Sequence, residues 1–101
     1  MGNTFKSYQS TSITTETTVF TGPASTQVTV IGMTIANTSS SVITASVKLN
    51  SAYLVKNAPV PVGGTLVPIG GEQKLVVETS DTLSVIASGT VDVITSTLEI
   101  S

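Results

Sequence analysis

Apolar residues along this chain come in short runs of Val, Ile and Leu, divided by residues that favour turns. No window sustains the three- and four-residue spacing of an amphipathic helix, and strong helix formers never cluster. The pattern predicts strands at Phe5–Ile13, Thr17–Thr21, Gln27–Ala36, Val42–Leu49, Ala52–Lys56, Thr65–Ile69, Gln73–Glu78, Thr82–Ala87 and Thr90–Ile100. The breaks between them have turn chemistry. Gly22-Pro23 separates two runs, and Asn37–Ser41 is a polar loop. Asn50-Ser51 suits a two-residue hairpin turn. Gly63-Gly64 and Gly70-Gly71 flank a short strand, and Ser80-Asp81 and Ser88-Gly89 close the last two turns.

Period-2 alternation is cleanest at Ile43, Ala45, Val47 and Leu49, and again at Leu83, Val85 and Ala87. In two places the apolar parity slips. Val28 and Val30 give way to Ile31, Met33 and Ile35 with Gly32 at the change, and Val91 and Val93 give way to Ile94, Leu98 and Ile100. Such slips mark bulges, strands that change sheet, or strands covered on both faces, the last by a neighbouring subunit. The expected fold is all-β: a single antiparallel β-sandwich, jelly-roll or immunoglobulin-like, of about eight strands with an extended N-terminal arm. Residues 1–16 form the arm or an edge strand, with Phe5, Tyr8 and Ile13 as its anchors, and residues 17–101 the sandwich domain. The arm has two readings: a strand added to another sheet or subunit, or a loosely attached edge strand.

Composition narrows the function. Thr, Ser and Val fill 18, 14 and 14 of the 101 positions, and His, Cys, Trp and Arg are absent. Their absence removes imidazole acid–base catalysis, thiol chemistry, disulfides and the usual zinc or haem ligands. Four lysines against six acids give a net charge of -2, which argues against nucleic-acid binding. No apolar run is long enough to span a membrane, and Met1–Ser10 has no signal-peptide pattern, so a product of the cytoplasm that is not secreted is expected. A chain of 10.3 kDa should fold to roughly 5,400 Å² of accessible surface, enough for one small core.

Candidate chemistry is sparse. Glu78 and Asp81 bracket a turn and read as solvated turn residues rather than a glycosidase pair, and Glu78, Asp81 and Asp92 lack calcium-loop spacing. Glu16, Glu72 and Glu99 suggest nothing further, and Lys6, Lys48, Lys56 and Lys74 read as scattered solubilising charges. The glycine pairs open no helix and are turn residues, not a phosphate cradle. Asn37-Thr38-Ser39 matches a glycosylation acceptor but reads as a loop. Ala58-Pro59-Val60-Pro61-Val62 is an apolar stretch with two readings, a crossover lying on the core or an exposed strip for a partner. No enzyme activity, metal or cofactor is expected, and the interface candidates are Phe5, Tyr8, Ile13, Val60 and Val62.

The order of segments carries a resemblance. Thr18–Ala24 leads into Val30–Thr38, Val42–Leu49, Tyr53–Pro61 and Gly64–Val67, and the chain closes with Lys74–Glu78, Asp81–Val85, Val91–Val93 and Leu98–Ile100. Over about Thr14–Ile100 this resembles the small β-sandwich virion proteins of tailed bacteriophages, several of which are capsid decoration or cement proteins. The resemblance implies a structural protein on the outer capsid surface, a homo-oligomer with a trimer favoured, whose partner is the major capsid protein or another virion protein. It implies no catalytic residue. Two other expectations are a neck, tail or baseplate component, and a carbohydrate-binding adhesion module using Phe5, Tyr8, Phe20 or Tyr53.

Overall fold

The computed structural model describes residues 2–70 and 74–100. It contains nine strands: β1 (Asn3–Ile13), β2 (Thr17–Thr21), β3 (Gln27–Asn37), β4 (Ile43–Leu49), β5 (Ala52–Val60), β6 (Thr65–Ile69), β7 (Leu75–Val77), β8 (Thr82–Ala87) and β9 (Val91–Ile100). Every pairing is antiparallel. One sheet has five strands in the order β1-β9-β3-β6, with β7 also on β3, and the other has four in the order β2-β8-β4-β5. Nine strands stand where nine ranges and about eight strands are expected. The predicted turn glycine Gly71, the acid Glu72 and the strand start at Gln73 lie outside the described residues.

The core is aliphatic. Val28, Val30, Met33, Ile35, Ile69, Val77, Val91 and Val93 come from the five-stranded sheet, and Ile43, Ala45, Val47, Val60, Leu83 and Val85 from the four-stranded one. Phe20 is the single aromatic ring fully inside, so closure depends on many β-branched contacts. The accessible surface is 5384 Å², as the size scaling anticipates.

The parity slip at Gly32 is a bulge. The register of β3 against β9 shifts between Val30 and Gly32, which leaves Ile31 as the extra residue and returns Met33 and Ile35 to the core face. The turns follow their chemistry. Asn50 takes a positive φ of 55° in the β4–β5 hairpin, and its side chain bridges to the β8 entry through Asp81 Oδ1 and the Thr82 N–H. Asp81 in turn accepts from the Glu78 N–H at 3.0 Å. The Asn50 and Glu78 bonds hold its carboxyl below the ordinary range, as expected for an acid stabilised in its charged form. Gly22 lies against this same turn, where a Cβ would come within 2.0 Å of the Glu78 carbonyl oxygen. That close approach explains the Gly22-Pro23 break.

Asn37 is a second organising residue. It is buried, and its amide nitrogen donates to the carbonyls of Ser41, Val60 and Pro61 while its oxygen accepts from Ser39. The Asn-Thr-Ser pattern there is a structural clasp between the β3–β4 loop and the end of β5. Thr95 has the opposite character: its hydroxyl is buried and has no hydrogen-bond partner among the described residues.

These two polar residues predict mutations of opposite sign. Asn37→Ala removes the amide from the carbonyls of Ser41, Val60 and Pro61, of which Ser41 and Pro61 keep the Ser39 hydroxyl and the Gly64 N–H, and should cost roughly 1–3 kcal/mol. Thr95→Val keeps the shape, removes an unpaired hydroxyl and should stabilise by about 1 kcal/mol. Thermal unfolding checks both, since about 1 kcal/mol moves Tm by several degrees in a domain of this size.

Candidate functional site

The second parity slip is not a bulge, and this defines the two surfaces with chemistry. β9 alternates without interruption: Val91, Val93, Thr95, Thr97 and Glu99 are buried, while Asp92, Ile94, Ser96, Leu98 and Ile100 face away from the core. The apolar residues change sides because polar ones take the inner positions. An inward polar row and an outward apolar row result from one regular strand.

The inner row meets β1. Cross-strand pairing sets Thr4 beside Glu99, Lys6 beside Thr97 and Tyr8 beside Thr95. Glu99 Oε2 accepts from the Tyr8 hydroxyl at 2.5 Å and the Thr97 hydroxyl at 2.9 Å, and Lys6 Nζ lies 3.8 Å from Oε1. The Tyr8 ring packs on Phe20 with centroids 4.9 Å apart and planes tilted by 55°. Partial burial first, then the bond to Glu99 and its charge, push the Tyr8 phenol from 10.0 up to about 12. Tyr8 is therefore a hydrogen-bond donor near neutral pH and not a base. Beside this cluster a cleft of about 380 Å³ opens between β1 and β2, lined by Thr18, Val19, Phe20, Thr21 and Pro23 as well as Lys6, Tyr8 and Glu99. It contains one carboxylate and no partner acid, and the polar groups chiefly satisfy one another.

The outer row spans the sheet. Phe5 pairs with Leu98, Leu98 with Thr29, and Thr29 with Val76, so one line of side chains crosses β1, β9, β3 and β7. Ile94 and Ile100 flank it on β9. Across the outward positions of β1, β9 and β3 the one charged side chain is Asp92, whose carboxylate accepts from the Ser12 N–H at 2.9 Å. The four-stranded sheet differs. There Lys48 pairs with Glu16 at 3.5 Å, and Lys48 and Lys56 lie 5.8 and 5.1 Å from the centre of the Tyr53 ring. Two of the lysines expected to be scattered thus gather on one aromatic ring.

The five interface candidates divide. Phe5 is 72% exposed and Val62 55% exposed, at different places on the surface. Val60 is a correction: it ends β5, pairs with Ile43 and is fully buried, because β5 runs four residues past its predicted end at Lys56. Ile13 is also a correction, since the register shift between Ser10 and Ile13 turns its side chain into the core. Tyr8 is half-buried and committed to Phe20 and Glu99. Segment 58–62 therefore matches neither reading, being strand through Val60, with Val60 buried between the exposed Pro59 and the exposed Pro61 and Val62. The N-terminal segment is an edge strand of the chain's own sheet, paired with β9 over nearly its whole length. Sequence reasoning missed the cluster: it draws nothing from Glu99, reads Lys6 as a scattered solubilising charge and does not single out Thr97. No local signal reveals them, because only the β1–β9 register puts Lys6 and Tyr8 on the same face as Thr95, Thr97 and Glu99.

Comparison with protein-family models, curated proteins and solved structures finds no match. The surfaces themselves are what bears on function.

The Tyr8–Glu99 bond predicts a titration. In a Tyr53→Phe chain, alkaline absorbance should show Tyr8 ionising near pH 12, and Glu99→Gln should bring that midpoint down. A folded pKa above the unfolded one makes this a contribution to stability that is intact below about pH 10 and lost between about 10 and 12. An unshifted Tyr8 in both chains would refute the arrangement.

Proposed function

We propose that this chain is a non-enzymatic structural protein of a bacteriophage virion, a capsid decoration or cement protein that binds the outside of the head and stabilises it. In this reading the two sheets form a β-sandwich of jelly-roll or immunoglobulin-like type, made in the host cytoplasm and assembled onto the outer shell. One observation carries it: a sheet face on which Phe5, Leu98 and Val76 line up across Thr29, with Asp92 as the one charge on the outward positions of β1, β9 and β3. Such a face suits burial against another protein surface. The order of strands and turns that resembles tailed-phage virion proteins supplies the class of partner, the major capsid protein or a neighbour in the shell.

The physical role follows from many modest contacts. A small protein that bridges shell subunits adds interface free energy without chemistry, and hydroxyl-rich strands with apolar centres suit that task. A carbohydrate-binding role receives less support. Sugar rings stack on exposed aromatic faces, but Phe20 is in the core, Tyr8 packs on it, and the exposed pair Phe5 and Tyr53 lie on different sheets.

The test is reconstitution. Added to shells that lack it, the protein should bind saturably and raise the temperature at which the shells open. Replacing Phe5 and Leu98 together by Asp should leave the far-UV spectrum unchanged and weaken binding by at least about tenfold. Wild-type protein that never binds shells would end the proposal. A copy number per particle matching one ring, not the shell, would move the protein to the neck or tail.

A further inference from the structure

Each sheet ends in edges, and the edges of this molecule are not alike. β5 carries Pro59, Lys56, two register breaks against β4, and Asn57 at a φ of 53°. β2 has five residues and a register break between Thr18 and Phe20. Beyond β3, β6 contains Pro68 and β7 has three residues. Each of these features discourages another strand from adding. Between Asn3 and Ser10, β1 shares with these edges a single lysine and nothing else. Its register there is unbroken, it contains no proline, and its one charge, Lys6, faces Glu99. β1 pairs with β9 alone, and among the described residues no backbone bond outside the ladders involves it. A long row of unpaired N–H and C=O groups therefore lies along its outer side.

We propose that this edge is a self-association site, where β1 pairs antiparallel with β1 of a second copy about a two-fold axis through Ser7. Symmetry, charge and length select that register. A two-fold axis normal to the sheet keeps the outer faces of both copies on one side, so residues that meet must share parity. An axis through Lys6 would set two ammonium groups face to face, which disfavours it. An axis nearer the N-terminus pairs fewer residues, and one nearer Ser10 brings in the break before Ile13. Centred on Ser7, the unbroken run from Thr4 to Ser10 is paired throughout, with Phe5 opposite the partner's Gln9 and Lys6 opposite the partner's Tyr8. The two five-stranded sheets become one continuous sheet, and the apolar outer row is doubled. Because the contact uses the same edge on both copies and the other edges are guarded, growth stops at two. The pairing does not rest on a virion role. It gives a dimer where the resemblance implies a trimer.

The absence of cysteine makes the test clean. Light scattering or native mass spectrometry of the full chain should give twice 10.3 kDa, with a dilution-dependent return to monomer. Ser7→Cys places two thiols across the axis within disulfide reach and should form a covalent dimer rapidly under mild oxidation. Ser96→Cys is the control. Ser96 sits beside Ser7 on the same outer face, but its two-fold mate lies three strand spacings away, about 14 Å, too far to bridge. Ser7→Lys brings two charges together at an exposed position and should weaken dimerisation at least about tenfold with an unchanged far-UV spectrum. A chain that stays monomeric, a trimer, or Ser7→Cys that cross-links no faster than Ser96→Cys would overturn the proposal. Failure to bind shells would not affect it.

Discussion

The uninterrupted period of two in β9 is the constraint on which the rest of the structure depends. β9 is the second strand of the five-stranded sheet and pairs along nearly its whole length with both β1 and β3. A strand held on both sides cannot change parity without breaking two ladders, so its composition decides what each face presents. Its first half sends Val91 and Val93 inward, and its second half sends Thr95, Thr97 and Glu99. The core is therefore dry at one end and polar at the other. The apolar residues of the second half, Leu98 and Ile100, have nowhere to go but outside.

Two consequences share that origin. Inside, a buried carboxylate must be supplied with donors, and β1 provides them through Tyr8 and Lys6 while Thr97 adds a third. This gives β1 a fixed register despite its exposed side chains. Outside, Leu98 joins Phe5 and Val76 through Thr29 into a line across four strands. The same strand thus ties down the N-terminal segment and contributes the central residue of that outer line. One face gathers Lys48, Lys56 and Glu16, while the outward positions of β1, β9 and β3 carry Asp92 as their one charge.

Much of the fold was legible because turns and β-branched runs are local properties. Most predicted strands agree with observed ones to within a residue or two, and Asn50, Gly22 and Asp81 occupy the turn positions their chemistry favours. Gly32 marked its bulge for the same local reason. The errors fall where pairing, not propensity, decides. Pro59 looks like a breaker, but β5 is an edge strand and tolerates it, so Val60 continues the strand into the core. Ile13 depends on a register shift that leaves no trace in residue type. Glu99 carries no local mark of burial, because only the pairing of β1 with β9 brings Tyr8 and Lys6 to its carboxylate.

The sequence by itself determined that this is an all-β chain, where its strands start and turn, and which chemistries it lacks, since these depend on residue types and their neighbours. Local alternation marked the inner face of β4 and β8, whereas the tertiary structure alone decided which parity is inside where apolar residues do not mark it. Alternation offers two faces to every strand, and burial goes to the one that the opposite sheet covers, even where, as in β9, this places Thr and Glu inside and Leu and Ile outside. That choice rests on contacts between residues far apart in the chain, and no local pattern contains it.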